Sequence, residues 1–389
     1  MSVWDELVGQ PEAVQLFQSA AASETVSALG ATESSMTHSW LVTGPPGSGR
    51  SNLAYAFAAA LLCRNQGCGT CPDCKQVAAR THPDLATLTT ERVIISIDEV
   101  RALVQSSQYS PSISRYRVVI IEDADRMAER TSNVLLKALE EPPERTVWIL
   151  CAPSEADLIP TIRSRVRSVR LRVPSIENVA ELLVTRDGVS HDEAERAARH
   201  AQSHIGMAHR LATNAEAANR RAESIDLIVG MRGVHDAVMS AARLLEIATD
   251  DAKALTEERD AEELEHTRRS MGLAESDNVP AQMRSAFKQL EEQQKRRATR
   301  SLRDGLDRIL VDLMSVYRDV VRLQLGVETD LINVEELDAL RTLANARSSA
   351  DTLATIEAIN LARTRLASNV APALVLESTL ISAVRRSAA

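Results

Sequence analysis

Up to residue 174, short runs of apolar residues alternate with stretches that have the apolar spacing of helices. Three runs predict buried strands: residues 40–43 (WLVT), 117–122 (RVVIIE) and 146–152 (TVWILCA). Between the first two, Ser96 and Glu99 form a capping box, which predicts the start of a helix. Strands that alternate with helices are typical of an α/β domain built on a mainly parallel sheet.

The pattern changes after residue 175. From Ile176 onward no segment alternates as a strand would, and alanine, leucine, glutamate and arginine dominate, which predicts an all-helical remainder. One or two long helices are expected over residues 281–325. Two amphipathic helices, interrupted at Pro372, are expected over residues 350–386.

Residues 250–300 are unusually rich in glutamate, arginine and lysine and are broken by Gly272 and Pro280. This composition indicates an exposed insertion, folded as a helical hairpin with a mobile tip. Such a charge run is more often a solvated face than a binding surface, and we favour that interpretation here.

Composition and charge narrow the function classes. The chain has 389 residues, 44% hydrophobic and 25% charged, which is ordinary for a globular protein of two or three domains. Its formal net charge of -9 argues against free-standing, non-specific DNA binding, which requires clustered lysine and arginine. The first ten residues do not resemble a signal peptide, and no apolar run reaches the roughly 18 residues of a membrane span. We therefore expect a cytoplasmic protein with no membrane partner.

Residues 44–51, GPPGSGRS, nearly match the phosphate-binding pattern G-x-x-x-x-G-K-[ST], with Arg50 in the place of lysine. A predicted strand precedes this loop and a predicted helix follows it, as the pattern requires. Backbone N–H groups could cradle phosphates, and Ser51 could reach Mg²⁺. The planar guanidinium of Arg50 does not simply replace a compact lysine charge, so we expect hydrolysis to be impaired. A glycine-proline turn without a ligand is the alternative. The candidate nucleotide-binding residues are Gly44, Pro45, Pro46, Gly47, Ser48, Gly49, Arg50, Ser51 and Asn52.

An acidic strand end, the second part of a nucleotide-hydrolysing site, follows at Glu122, Asp123 and Asp125. In an active ATPase of this kind an aspartate orders the Mg²⁺ shell and the following glutamate orients the attacking water. Here the order is reversed, so Glu122 is a candidate nucleotide-site residue and Asp123 a degenerate base. A misplacement of roughly 1 Å costs on the order of 10²-fold in rate. Carboxylates that cap the next helix are the alternative, which accounts better for Asp125 than for Glu122.

The spacing C-x4-C-x2-C-x2-C predicts a metal site. Four thiolates this close together in a cytoplasmic chain favour a closed, structural zinc site over disulfides or clustered free thiols. The predicted ligands are Cys63, Cys68, Cys71 and Cys74. The fifth cysteine, Cys151, lies in a predicted strand and should be a small buried residue. His82 in THPD could compete as a ligand, but a histidine in a surface turn is the favoured interpretation.

Six segments occur in a fixed order: GPPGSGRS, the cysteine insertion behind the P-loop helix, THPD, EDADRM, NVLLKALEEPPERT and TIRSRV. Together they resemble the clamp-loader AAA+ subunits of bacterial DNA polymerase III, the delta-prime type in particular. The resemblance is close over residues 1–215. It implies an α/β AAA+ P-loop domain with a parallel sheet and a zinc module (1–174), a helical lid (175–217) and an all-α collar domain (218–389).

The resemblance also implies roles for single residues. Val8 and Gln10 match the segment that lines the adenine pocket, and Ser154 matches a polar sensor position. Ser164 and Arg165 match a Ser-Arg-Cys motif in which the arginine is a finger that reaches the ATP site of the neighbouring subunit, although Val166 replaces the cysteine. A surface salt bridge is the alternative role for Arg165.

His209 stands where motor subunits of the family carry a second sensor arginine, with Arg210 one position away. The departures at Arg50, at Glu122 with Asp123, and at His209 all fall on this chain's own nucleotide site. We therefore expect a stationary subunit with absent or weak ATPase activity that supplies Arg165 to a neighbouring motor subunit. Zinc would be structural, while binding of ATP or ADP with Mg²⁺ is left open.

The implied partners are the gamma/tau motor and delta subunits and the sliding clamp, in a hetero-oligomer that contacts primed DNA during replication. The main alternative is an ATP-hydrolysing gamma/tau-like motor that tolerates Arg50. A zinc-dependent nucleic-acid-binding adaptor is a second alternative, weakened by the lack of a basic surface near the cysteines.

Overall fold

A computed structural model gives the fold. The structure describes residues 2–23, 36–90, 94–271, 273, 280, 283–327, 330–368 and 370–385. The chain divides into two compact units, Met1–Thr213 and Asn214–Ala389, each of which is described by itself. The predicted division into three domains stays a prediction.

A parallel sheet organises the first unit. Within the described residues its strands are β1 (Ser39–Thr43), β2 (Leu85–Leu88), β3 (Arg117–Ile121), β4 (Thr146–Ala152) and β5 (Arg167–Arg170). Their order across the sheet is β2-β3-β4-β1-β5, and all the pairs are parallel. The predicted α/β fold class is therefore confirmed.

The three central strands are the ones that the apolar runs predicted. Each of their residues is buried, which is why they read as continuous apolar runs. Leu150 of β4 pairs with Leu41 of β1 on one side and with Ile121 of β3 on the other. The carboxyl ends of β1 and β3 therefore lie at the same edge of the sheet, with β1 extending two residues further, to Thr43.

Helices cover both faces of this sheet. Among the residues of the first unit that the structure describes, the α-helices are α1 (Pro11–Ala22), α2 (Arg50–Leu62), α3 (Pro72–Ala78), α4 (Ile97–Ser107), α5 (Glu129–Glu140), α6 (Pro160–Arg163), α7 (Ile176–Asp187), α8 (His191–His200) and α9 (Ile205–Thr213). Residues of α1 and α2 form one core with alternate strand residues, and residues of α4 and α5 form another with the remaining ones. In the first core, the rings of Phe17, Trp40 and Phe57 contact one another at centroid distances of 4.4 to 5.6 Å.

Helices α7, α8 and α9 have a separate small core. It consists mainly of alanine, leucine and valine, for example Val179, Leu183 and Ala198. Val8, from the segment before α1, packs against this core. The segment before α1 thus contacts the core formed by α7, α8 and α9.

The second unit is helical throughout its described residues. Its helices are α10 (Ala215–Gly230), α11 (Val234–Ser270), α12 (Arg284–Gln324), α13 (Leu337–Asn345), α14 (Ser349–Ala367) and α15 (Pro372–Arg385). No strand occurs after Ile176 in the part of the chain that the structure describes, as the sequence predicted. In the same part of the chain, no helix combines the length and the apolar character that crossing a bilayer needs.

Within the described residues, the charged segment folds as the predicted helical hairpin, with residues 250–270 on α11 and 284–300 on α12. That it is an insertion stays a prediction. Helices α11 and α12 run antiparallel, since Gly305 lies against Ala248 and Arg297 binds Asp260. Their proximal parts contribute apolar residues to the core of the second unit. Beyond Thr256 the two helices continue as a charged hairpin arm, defined as residues 257–270 and 284–297. The mobile tip that the sequence predicted lies outside the described residues.

Candidate functional site

The near-P-loop is a tight turn between β1 and α2. Gly44, Gly47 and Gly49 have φ of 157°, 80° and 90°, and Gly49 is the N-cap of α2. Left-handed backbone of this kind is accessible to glycine at little cost. The N–H of Ser48 donates to the carbonyl of Pro45 at 3.2 Å, and the N–H of Gly44 donates to the carbonyl of Pro153 at 3.2 Å. The loop is therefore a tight, glycine-dependent turn that leads into the N-terminus of α2.

Arg50 turns back toward its own loop. Its guanidinium donates a hydrogen bond of 2.6 Å to the carbonyl of Gly44. A lysine at this position would end in one compact ammonium, whereas the guanidinium presents a planar fork. The positive charge is therefore committed to the start of the loop in this structure.

The turn before α9 covers the middle of the loop. A Cβ on Gly47 would lie 2.2 Å from the ring of His204, so a larger residue would not fit here without rearrangement. The N–H of Ile205 donates to the carbonyl of Gly47 at 3.2 Å. Phosphates entering the loop would have to share this space with the imidazole of His204.

Glu122 lies at the end of β3 beside the loop, and both its carboxylate oxygens are engaged. Oε2 accepts a hydrogen bond of 2.7 Å from the hydroxyl of Ser51. Oε1 accepts hydrogen bonds of 2.8 Å from the hydroxyls of Tyr55 and Thr89. The guanidinium of Arg80 is 3.2 Å from the same oxygen. Burial, followed by the charge of Glu122, raises the pKa of Tyr55 above its ordinary value, so its hydroxyl stays a donor.

Asp123 and Asp125 have different surroundings. Asp123 has a left-handed backbone with φ of 51°, and its carboxylate pairs with Arg126 at 3.5 Å. One oxygen of Asp125 is buried and has no hydrogen-bond partner within the described residues. Burial, followed by the charge of Asp123, raises the pKa of Asp125.

The predicted adenine and sensor residues use their polar groups locally. The side-chain amide of Gln10 donates to the carbonyl of Arg172 at 2.7 Å and accepts from the N–H of Arg172 at 3.1 Å. The hydroxyl of Ser154 accepts from the N–H of Ala156 and caps a short turn.

Asn52, the last of the candidate loop residues, lines a cavity of about 440 Å³ bounded by residues 2–7, α2 and α3.

Arg165, the predicted finger, lies just after α6 with its side chain about one third exposed. Its guanidinium donates to Glu140 through Nε at 2.6 Å and also through a terminal nitrogen. It donates further to the carbonyl of Thr161 at 2.7 Å and to the hydroxyl of Ser164 at 3.1 Å. The alternative interpretation, a surface salt bridge, thus describes its contacts in the single chain. The same contacts fix the guanidinium at one place on the surface.

His209 lies on α9 and pairs with Asp187 of α7. Its Nδ1 is 2.8 Å from a carboxylate oxygen of Asp187, which also binds Arg186 at 2.8 Å. The hydrogen bond from Arg186 is the main cause that lowers the pKa of Asp187. His209 is therefore held by a carboxylate on its own group of helices.

The four predicted metal ligands come together. The sulfur atoms of Cys63, Cys68, Cys71 and Cys74 all lie within 4.8 Å of one another. Cys63 Sγ is 3.8 Å from Cys68 Sγ and 3.5 Å from Cys71 Sγ, close to the edge of about 3.8 Å expected for tetrahedral sulfur at about 2.3 Å from zinc. The cluster fits a structural metal ion such as zinc.

Backbone N–H groups support the cluster as electrostatic donors. The N–H groups of Asn65 and Gly69 donate to Cys63 Sγ and Cys74 Sγ, each at 3.3 Å. A backbone hydrogen bond from Thr70 is the largest of the effects that lower the pKa of Cys68 to about 6. Such donors stabilise thiolates, the form that binds metal. Cys151 is buried in the sheet core, as predicted, and burial raises its pKa.

His82 does not lie in a surface turn, so that interpretation was wrong. Its side chain is buried; Nδ1 accepts from the N–H of Asp84 at 3.1 Å, and Nε2 is 3.4 Å from the hydroxyl of Ser114. Asp84 in turn accepts hydrogen bonds from the backbone of residues 112–114. The THPD segment therefore anchors the loop before β3, a role that the two polar residues alone did not indicate.

Sequence reasoning missed the partners of the predicted residues. Arg80, Tyr55 and Thr89 complete the surroundings of Glu122, Glu140 binds Arg165, and His204 covers Gly47. Only Glu140 lies in one of the quoted segments, NVLLKALEEPPERT, and that segment did not indicate its pairing with Arg165. Most of these residues are far in sequence from their partners. Only the hydroxyl of Tyr55, four residues after Ser51 on the same helix, was open to prediction from helix periodicity.

Comparisons with known proteins place this site in a family context. The sequence pattern of a family described as "DNA polymerase III, delta subunit" matches residues 9–175. A second pattern, described as the C-terminal part of that subunit, matches residues 285–384. The two matches together span more than half of the chain.

Single relatives agree with this result. The DNA polymerase III subunit delta' of Pseudomonas aeruginosa is 40% identical over 134 residues, 33% of this chain and 41% of the relative. That of Haemophilus influenzae is 34% identical over 160 residues, 40% of this chain and 49% of the relative. The gamma subunit of Buchnera aphidicola is 31% identical over 178 residues, 43% of this chain and 49% of the relative. The chain spans about half the length of these curated relatives.

Proposed function

Because this chain belongs to the family of bacterial DNA polymerase III delta-prime subunits, AAA+ proteins of the clamp loader, we propose that it is a stationary subunit that completes the ATP site of a neighbour. In this proposal Arg165 is the group that acts across the subunit boundary. The chain's own P-loop pocket is a structural remnant that turns over no ATP. The neighbour is a motor subunit of the gamma/tau type.

The observation that carries the proposal is a contrast between two arginines. Arg165 stands on the surface, with its guanidinium oriented by Glu140 and Thr161. Arg50 is bound to the carbonyl of its own loop. A finger must be rigid and accessible from outside, whereas a P-loop cation must be directed toward phosphates. Arg165 meets its requirement, and Arg50 does not.

The contacts of Glu122 and Gly47 support an inert pocket. A divalent cation beside Ser51 would compete with the hydrogen bond from its hydroxyl to Glu122, at 2.7 Å. Nucleotide phosphates would compete with His204 for the space above Gly47. Breaking the hydrogen bond and displacing His204 both cost free energy. The apparent affinity for nucleotide falls in proportion to the small fraction of molecules in which both contacts are open.

The remaining parts of the proposal concern assembly. The chain binds motor and delta subunits in a hetero-oligomer that opens the sliding clamp and places it on primed DNA. The helical second unit supplies the collar through which subunits join. The four cysteines hold zinc in a structural role, and DNA is contacted through the complex.

Reconstitution tests this function. The full chain is mixed with motor and delta subunits of the same bacterium, and the complex is isolated by gel filtration. We expect the chain to co-elute with them and to raise their DNA-dependent ATP turnover. A chain that stays apart, or that leaves the turnover of its partners unchanged, contradicts the proposal.

A gamma/tau-like motor is the second candidate, favoured by the identity of 31% to a gamma subunit. Phosphate release by the isolated chain separates the two functions. A stationary subunit releases no phosphate above the background, and R50K alone does not restore release because Glu122 remains engaged. Steady ATP turnover by the isolated chain supports the motor.

A further inference from the structure

Arg80 brings a positive charge to the position where a nucleotide site normally binds a divalent cation. One of its terminal nitrogens is 3.2 Å from Glu122 Oε1, and its guanidinium carbon is 4.8 Å from the centre of the Tyr55 ring. The guanidinium therefore contacts both an aromatic ring and a carboxylate. These contacts orient Arg80, although about half of its side chain is exposed.

The four-cysteine cluster lies at the start of the short helix that leads to Arg80. Cys71 is the N-cap of α3, Cys74 lies within this helix, and the helix ends at Ala78. The N–H of Arg80 donates to the carbonyl of Val77 at 3.0 Å, and its φ of 58° is left-handed. A seven-residue helix has little stability of its own, so it is held by the cluster at its start together with the burial of Val77 in the core of the first unit. The tight turn then directs Arg80 toward Glu122.

The charges at this point disfavour a metal ion. Oε1 of Glu122 already accepts hydrogen bonds from the hydroxyls of Tyr55 and Thr89 and pairs with the guanidinium of Arg80. Oε2 accepts a hydrogen bond from the hydroxyl of Ser51. A divalent cation would displace donors and would also be repelled by the guanidinium. Coulomb repulsion between charges a few ångströms apart is large where solvent is partly excluded, and Glu122 is only 12% exposed.

We propose that Arg80 is a built-in counter-ion that takes the place of a divalent cation at Glu122, and that the four-cysteine cluster positions it there. The carboxylate is thereby neutralised without Mg²⁺. Loss of metal from the cluster releases Arg80 and opens Glu122 to divalent cations. This inference deepens the proposed function by giving a cause for the inert pocket, and it does not depend on Arg165.

Binding of Mn²⁺ to the full chain, loaded with zinc and followed by electron paramagnetic resonance of the free ion, tests the proposal. R80Q removes the charge and keeps most of the length of the side chain. We expect R80Q to bind Mn²⁺ about tenfold more tightly than the unmodified chain, because one repelling charge is gone. The double variant R80Q/E122Q should lose this gain. Thiolates prefer zinc to Mn²⁺, so the cluster does not interfere.

Two controls separate the charge from other effects. R80K keeps a positive charge and should bind Mn²⁺ as the unmodified chain does. R243Q removes an arginine that pairs with Glu223 in the second unit and should also leave binding unchanged. Thermal unfolding followed by circular dichroism checks that each variant is folded.

Removal of zinc tests the positioning role of the cluster. The chain treated with a chelator should gain the same tenfold in Mn²⁺ affinity, and R80Q should add about nothing further, because the two changes act on one contact. The proposal is overturned if R80Q binds Mn²⁺ no better than the unmodified chain or if the gain persists in R80Q/E122Q. A chelated chain with unchanged affinity overturns the role of the cluster. Because the assay uses the isolated chain, its failure leaves the Arg165 proposal standing.

Discussion

At the scale of single residues, the extra methylene of Glu122, compared with an aspartate, determines which residues the carboxylate at the end of β3 contacts. Glu122 has a longer side chain than the aspartate of an active site, and it reaches Tyr55, Thr89 and Arg80 as well as Ser51. A carboxylate with this many donors is a structural anchor. The longer side chain therefore gains hydrogen bonds and an ion pair with residues of several other elements.

The substitution E122Q measures this anchoring role. The amide cannot accept all the hydrogen bonds that the carboxylate accepts, and it leaves Arg80 without its counter-charge. We expect the free energy of unfolding of the first unit to fall by about 1–3 kcal/mol in urea titrations. E140Q is the matched control, because Glu140 is 46% exposed and its loss should cost about 1 kcal/mol or less. Equal effects of the two substitutions would contradict the account.

A pH dependence is expected from Asp84, a buried carboxylate. Burial alone would raise its pKa, but hydrogen bonds from the N–H groups of residues 112–114 outweigh burial and hold the pKa below the ordinary 3.8. Because the folded-state pKa is depressed, the stabilisation is complete above pH 3.8 and is lost as the pH falls through the folded-state value.

The comparison with D84N makes this testable. At pH 7 we expect D84N to be less stable than the unmodified chain by about 1–3 kcal/mol. Below pH 3.8 the difference should shrink, since Asp84 becomes protonated in the unmodified chain. Urea titrations between pH 7 and pH 3 give both quantities. A difference that stays constant over this range argues against the assigned role of Asp84.

The sequence predicted some of these residues and could not predict others. The loop, the acidic strand end and the four cysteines were visible because their chemistry is encoded in local spacing. Arg80 and Glu140 were not, because each is defined by a partner on a different element. The burial of His82 was misjudged for the same reason, since only the fold brings Ser114 over it.

At the scale of elements, interior strands were predictable and edge strands were not. The strands β1, β3 and β4 are buried at every position and read as apolar runs. The strand β5 has the sequence RSVR with one buried residue, Val169, and β2 has four residues of which one is buried. A short edge strand depends on its neighbour for pairing, so its own pattern carries little signal.

The hairpin arm shows how a charged segment can be ordered. Arg297 is 9% exposed and binds Asp260 at 2.9 Å and Glu263 at 2.7 Å across the two helices. The arm is thus joined by ion pairs where apolar contacts are few. Charge density predicted an exposed helical hairpin, and most described side chains of the arm are exposed or half-buried. The ion pairs that join α11 to α12 were not predicted.

Hydrogen exchange tests this role with R297A. Removing Arg297 removes both ion pairs that join α12 to α11 at this point, so amides of the arm should exchange about tenfold faster or more. The control R296A removes an arginine that pairs with Glu292 on its own helix at 3.4 Å, and exchange should change by less than about twofold. The same response in both variants would mean that Arg297 does not join the helices.

At the scale of the whole molecule, the described residues of the first unit contain the near-P-loop, the acidic strand end and the four cysteines, while those of the second unit are helical. The resemblance in the sequence predicted the family and the fold class, because the P-loop, the cysteine spacing and the TIRSRV segment are local signals. The boundaries of the domains and the sites of subunit contact depend on packing between elements and assemblies. A single sequence contains no separate signal for them.

The most direct test of the central claim is the DNA-stimulated ATP turnover of a clamp loader reconstituted with this chain. R165A should assemble normally and lower the stimulation by about tenfold or more, because fingers of this kind are worth 10³ to 10⁵ in rate at the site they complete. R163A, which removes the exposed arginine two positions earlier, should keep the stimulation within about twofold. If R165A stimulates turnover as fully as the unmodified chain does, the guanidinium of Arg165 does not act on a neighbouring ATP site.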